Sequence, residues 1–188
     1  SLSVTNVEIE LDGPEPPALD GSSKEYCEIL MKAGLAEQKG DTGTIELKGP
    51  VFVAEDGKCL IAVPSDRFTV SFMINYPFGF IGTQFRKIEL DRYIDEIAPA
   101  RTYGFMEELE ALKRQGLALG ASGKNAIAIS KDGYLTKLRF KDELVRHKIL
   151  DLVGDLSLLG RGIRAHVIGI KSGHDLNIKF ARKLEEVG

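Results

Sequence analysis

The run Glu143-Leu144-Val145-Arg146-His147-Lys148-Ile149-Leu150-Asp151-Leu152-Val153-Gly154-Asp155-Leu156-Ser157-Leu158-Leu159-Gly160 carries the most informative pattern in the chain. At roughly 100° per residue, Ile149, Leu152, Val153, Leu156 and Leu159 spread over one side of a helix, and His147, Asp151 and Asp155 fall within about an 80° arc on the other. An imidazole nitrogen and a carboxylate oxygen one turn apart can approach one cation together, and Zn²⁺ suits such mixed ligation. Asp155, a further turn along, is placed to accept from a histidine ring and fix its tautomer. A solvated helix face with a His/Asp hydrogen bond fits the same spacing.

Downstream, an apolar strand at residues 167–170 leads into Lys171-Ser172-Gly173-His174-Asp175-Leu176-Asn177 and a last amphipathic helix through Phe180 and Leu184. A histidine at a strand-to-helix junction, beside a glycine that permits close backbone approach, can serve as general acid near a metal. Equally, Gly173 can simply make the turn and His174 cap the helix. His166 reads as an ordinary strand residue.

Upstream, residues 44–47, 51–54, 59–63 and 68–74 are short, β-rich and separated by Gly, Pro or Asp, which predicts an antiparallel meander. Residues 75–84 form a loop bearing Tyr76, Phe78 and Phe80, either a packing lid or a binding surface. A short helix follows at 91–97, a clearer one at 106–115 with Leu109 and Leu112 on one face, a link rich in Ala and Gly, and a strand at 126–130. Towards the start, Val7, Ile9 and Leu11 alternate with polar neighbours as in a half-buried strand, and residues 24–33 read as a helix ended by Gly34. The polar stretch 37–43 is the best linker, so a domain boundary is expected near Gly43.

With 25 basic and 28 acidic residues among 188, and a formal charge of -3, the chain has no global field for a polyanion, and nucleic acid is disfavoured as a partner. No apolar run approaches the roughly 18 to 20 residues that cross a bilayer, and no leader pattern opens the chain. Cys27 and Cys59 lack CxxC spacing and fit reduced thiols, so the expected compartment is the cytoplasm. No motif encodes an oligomer, and a monomer is expected.

Taken together, Val145-Arg146-His147-Lys148 with Asp151 and Gly154-Asp155, Lys171-Ser172-Gly173-His174 with Leu176-Asn177, Leu19-Asp20-Gly21-Ser22, Ala100-Arg101-Thr102 and Gly116-Leu117 resemble UDP-3-O-acyl-N-acetylglucosamine deacetylase of lipid A biosynthesis. The resemblance implies a zinc hydrolase that removes the acetyl group from UDP-3-O-[(3R)-3-hydroxyacyl]-N-acetylglucosamine and releases acetate. It implies an α+β fold of two-layer, helix-on-antiparallel-sheet domains of the ribosomal S5 domain 2-like kind. Residues 1–43 would be the C-terminal part of a first domain. Residues 44–188 would form a second, with an acyl-binding βαβ insert at about 100–136.

On this resemblance His147 and Asp151 are two of three zinc ligands, and Asp155 orients His174, the cationic imidazole that stabilises the oxyanion and helps the amine leave. Thr102 hydrogen-bonds the tetrahedral intermediate, and Lys148 and Lys171 contact the sugar and diphosphate. Tyr103, Met106, Leu109 and Ala118 are candidates to line the acyl passage, with plain helix packing as the alternative. The family's third ligand, a histidine, and its general base, a glutamate, would precede Ser1, so the chain alone is expected to be inactive or nearly so. Two rival readings are a non-catalytic module that binds nucleotide sugar and acyl chain, and a metal-free structural domain.

Overall fold

The computed structural model describes residues 2–107, 123 and 125–188. In chain order the described elements are α1 (Lys24–Ala33), β1 (Thr44–Glu46), β2 (Val51–Glu55), β3 (Lys58–Pro64), β4 (Thr69–Asn75) and β5 (Thr83–Glu89). A 3-10 turn at Leu90–Arg92 leads into α2 (Tyr93–Glu96), then β6 (Tyr103–Phe105), β7 (Ile127–Ser130), β8 (Gly133–Tyr134), α3 (Glu143–Ser157), β9 (Gly162–Ile170) and α4 (His174–Val187).

Six strands form one mixed sheet in the order β2-β3-β9-β4-β5, with β1 paired in parallel to the first residues of β9. β9 runs antiparallel to β3 and parallel to β4. Alternate residues of β9, Ile163, Ala165, Val167 and Gly169, are buried on one face, with Val167 in register with Ala62 and Val70 and Gly169 with Leu60 and Phe72. α4 lies against β2 and β3, and α3 against β4 and β5. Leu144, Ile149, Leu152, Leu156, Phe180 and Leu184 close the core, each at most 1% exposed.

The second sheet holds β6, β7 and β8. β6 and β7 pair in parallel, Tyr103 opposite Ile127, which demands a crossover connection rather than a hairpin. The helix expected at 106–115, with the candidates Leu109 and Ala118 and the pair Gly116-Leu117, falls largely outside the described residues.

Two expectations are corrected. The strands 44–74 are not a meander, because β9, drawn from the other end of the chain, lies between β3 and β4. Ladders to β3 on one side and β4 on the other hold β9 at the sheet centre, its buried residues alternating along the strand. Residues 7–11 form no strand, and Val7, Ile9 and Leu11 are 57%, 68% and 47% exposed. Alternation alone does not make a strand without a ladder to join, and none pairs with it among the described residues.

At the sheet centre, Gly169 faces the Phe72 ring so closely that an added Cβ would stand 2.6 Å from it. Phe72 is 1% exposed and has nowhere to retreat. Gly169→Ala is therefore expected to destabilise the chain by about 1–3 kcal/mol in urea unfolding. The double change Gly169→Ala with Phe72→Leu should recover part of that loss; full stability of the single variant would contradict the packing described.

Candidate active site

The Leu19-Asp20-Gly21-Ser22 motif is a clamp. Asp20 Oδ1 accepts from the Ser22 amide at 3.0 Å and its hydroxyl at 2.7 Å, while Oδ2 lies 2.7 Å from the Arg139 guanidinium. Burial pushes the Asp20 carboxyl up, but Ser22 and Arg139 outweigh it and hold it below its ordinary value. Gly21 has φ +81°, its carbonyl accepts from the Thr102 amide at 2.7 Å, and a Cβ there would sit 1.8 Å from the Asn125 carbonyl oxygen. Only glycine meets both demands.

The clamp sets residues 100–102 beside α3. The Ala100 carbonyl lies 3.0 Å from His147 Nδ1. A carbonyl only accepts, so Nδ1–H donates and Nε2 keeps its lone pair. His147 is 8% exposed, which excludes a solvated face at this position. Burial, stronger than the opposing pull of Asp151, keeps the imidazole below its usual pKa and hence neutral near pH 7.

One turn on, Asp151 Oδ1 is 3.3 Å from His147 Nε2, and Oδ2 is 2.7 Å from Lys148 Nζ and 4.0 Å from His174 Nε2. Asp155 Oδ2 accepts from His174 Nδ1 at 2.9 Å and from Asn177 Nδ2 at 2.8 Å. His174 is thereby tethered by one nitrogen while the ring stays 64% exposed. The turn that brings α4 to α3 thus joins the two histidine-bearing segments. The imidazoles of His147 and His174 and the carboxylates of Asp151 and Asp155 thus gather in one patch.

The other candidates are distributed around it. Tyr103 sets its ring edge-on to His147 at 6.2 Å and under Lys148 Nζ at 5.7 Å, and its hydroxyl meets that of Tyr76 at 2.9 Å. Met106 borders a cavity of about 470 Å³ lined also by Tyr76, Phe78, Phe105 and Ile129. Phe78 stacks on Phe105 at 5.3 Å, so the aromatic loop packs and lines the cavity at once. Thr102 is fixed through its backbone, accepting from the Ile127 amide at 2.8 Å. Lys171 directly follows β9 with φ +53°, its amide donating to Met73 O at 2.9 Å.

Sequence reasoning did not single out Glu143, Arg101 or Asn177. Arg101 and Glu143 form an ion pair at 2.9 Å with side chains 8% and 0% exposed. A glutamate one turn before His147 and an arginine inside Ala100-Arg101-Thr102 were the available signal, but only the tertiary fold pairs them.

A family model described as LpxC: UDP-3-O-acyl N-acetylglycosamine deacetylase matches residues 1–186. The chain belongs to this family. It is 40% identical to the UDP-3-O-acyl-N-acetylglucosamine deacetylases of Syntrophotalea carbinolica, Thermodesulfovibrio yellowstonii and Chlamydia pneumoniae, over 98%, 100% and 99% of its own length. It spans 61%, 65% and 68% of those relatives respectively. No described helix is long and apolar enough to cross a membrane.

In this deacetylase-family chain, the Glu143 carboxyl is pushed up by burial, but Arg101 and the amides of Arg139 and Arg101 outweigh that and hold it below its ordinary 4.5. A depressed carboxyl contributes stability that is complete above the unfolded value and is lost as pH falls through the folded one. The unfolding free-energy difference between the parent chain and Glu143→Gln is expected to be constant from pH 7 to about 5 and to shrink below about 4.5. Urea titrations at stepped pH measure it; a gap that widens in acid would reverse the assignment.

Proposed function

We propose that the protein to which this chain belongs hydrolyses the acetamide of UDP-3-O-[(3R)-3-hydroxyacyl]-N-acetylglucosamine, releasing acetate in the committed step of lipid A biosynthesis, and that Zn²⁺ is its cofactor. The observation that carries the reading is the fixed pair of donors: His147 Nε2, freed by the Ala100 bond, stands 3.3 Å from Asp151 Oδ1. Two donors each 2.0–2.1 Å from a tetrahedral ion stand about 3.3–3.4 Å apart, so the pair fits two of its positions. No group of three His, Cys, Asp or Glu that could hold a metal is found among the described residues. We propose accordingly that the 188-residue chain alone holds zinc weakly and has little or no turnover.

Zinc, when bound, would polarise the acetyl carbonyl and lower the pKa of water towards about 7. The chain's own residues supply the rest. The His147 imidazole is kept neutral and single-tautomer. Asp155 orients His174, which in its cationic form stabilises the oxyanion and gives a proton to the departing nitrogen, since an amine anion does not leave. As water adds and the C–N bond breaks, acetate and a free amine result. The Thr102 hydroxyl donates to the oxyanion, and the Lys148 and Lys171 ammonium groups meet the sugar and diphosphate.

On the same reading the mixed α+β fold is of the ribosomal S5 domain 2-like kind, with residues 1–43 in a first domain and 44–188 in a second. The acyl chain runs along the insert past Tyr103 and Met106. The protein works as a monomer in the cytoplasm.

The test is acetate release from the acylated nucleotide sugar by the full-length protein. His174→Ala is expected to lower kcat by about 10²–10⁴-fold with KM little changed. His147→Ala should abolish both turnover and the bound equivalent of zinc, read by metal analysis. Turnover unchanged by His147→Ala would refute the role given to His147, and no acetate release by the full-length parent would favour a non-catalytic or structural module.

A further inference from the structure

Glu143 opens α3 one turn before His147 and is 0% exposed. Its carboxylate is fully subscribed: Oε1 accepts from the Arg101 amide at 3.1 Å and Arg101 Nε at 2.9 Å, and Oε2 accepts from Arg101 Nη2 at 3.2 Å and from the Arg139 amide. Arg101 Nη2 also donates to the Lys137 carbonyl at 2.8 Å.

A buried ion pair of this kind is a poor source of stability, because the cost of desolvating both charges rivals their attraction and an apolar pair of equal volume often does as well. What an apolar pair cannot do is accept from two backbone amides. Glu143 ties the backbone at residues 101 and 139 to the same helix that carries His147. Residue 101 directly follows Ala100, whose carbonyl accepts the hydrogen bond from His147 Nδ1–H. In water the Nε2–H form of a neutral histidine is the commoner tautomer, which would point a proton, not a lone pair, at Asp151.

We propose that Glu143 and Arg101 are positioning residues that set the tautomer of His147: by anchoring the residue 101 backbone to the first turn of α3, they hold the Ala100 carbonyl against Nδ1 and leave the Nε2 lone pair facing Asp151. The consequence for metal affinity rests on the proposed function, but the tautomer itself does not. Neither residue touches the reacting atoms.

Long-range ¹H–¹⁵N correlation spectra of the metal-free 188-residue chain report the tautomer of His147. The parent is expected to show Nδ1 protonated and Nε2 bare. In Glu143→Gln, where an amide NH₂ must face backbone N–H groups, the ratio of Nε2–H to Nδ1–H forms is expected to rise at least tenfold, and zinc affinity of the full-length protein to fall about 10–100-fold. The double variant Arg101→Met with Glu143→Leu separates positioning from mere support. It removes both buried charges but leaves the two amides unpaired, so it should fold with a thermal midpoint below the parent's while the tautomer ratio stays shifted.

A parent tautomer in either folded variant overturns the proposal. So does failure of both variants to fold, since the pair would then serve the fold first. If the tautomer responds as stated but the full-length parent binds no zinc, the metal reading fails and the positioning stands. If zinc binds normally while the tautomer ignores Glu143, the reverse holds.

Discussion

The hydrogen-bond ladders on both sides of β9 are the constraint from which the rest of the molecule follows. β1, β3 and β4 all pair with it, β2 is held through β3, and β5 through β4. Its end is fixed as firmly as its middle. Lys171 adopts a left-handed backbone, which costs an ordinary residue on the order of 1–2 kcal/mol, and its amide is bonded to Met73 of the neighbouring strand. The turn to α4 therefore starts from a defined place, and α4 runs back over the sheet face that α3 also covers. Two helices on one face have to touch, and their contact is where Asp155 receives His174 and Asn177.

The electrostatics of the patch follow from that packing. His147 lies on the buried side, where desolvation favours its neutral ring, and His174 lies on the exposed side, bonded to Asp155. The same residue type thus occurs in two environments, a buried imidazole bonded to a backbone carbonyl and an exposed one bonded to a carboxylate. The lone pair of a neutral imidazole suits a cation, whereas a solvent-facing imidazole bonded to a carboxylate suits proton transfer. Asp151 stands between them and shares one oxygen with Lys148, so its charge is spread over three partners instead of being drawn wholly to one.

Local patterns in the sequence were legible, and non-local ones were not. The helix at Glu143–Ser157 and the junction at His174 could be read because a 3.6-residue period and a glycine turn are written within a few residues of each other. Strand order could not. The pairing of Met73 with Ile170 spans nearly a hundred positions, and nothing in residues 58–75 announces that a strand from the far end will enter between them. The loop at 75–84 packs through Phe78 on Phe105 and lines a cavity, and β5, which follows, carries too mixed a pattern to stand out as a strand. The Arg101–Glu143 pair was missed for the same reason as the place of β9 in the sheet: charges separated by 42 residues carry no spacing rule.

Tyr103 shows how the parts of the site are mechanically joined. It belongs to β6, whose partner β7 is set by the parallel crossover, yet its ring rests edge-on against His147 and beneath the Lys148 ammonium. Its hydroxyl reaches Tyr76, in the loop whose Phe78 covers the cavity beside Met106. The wall of the apolar cavity and the imidazole of His147 are thus joined by a continuous run of ring contacts through Phe105, Tyr76 and Tyr103.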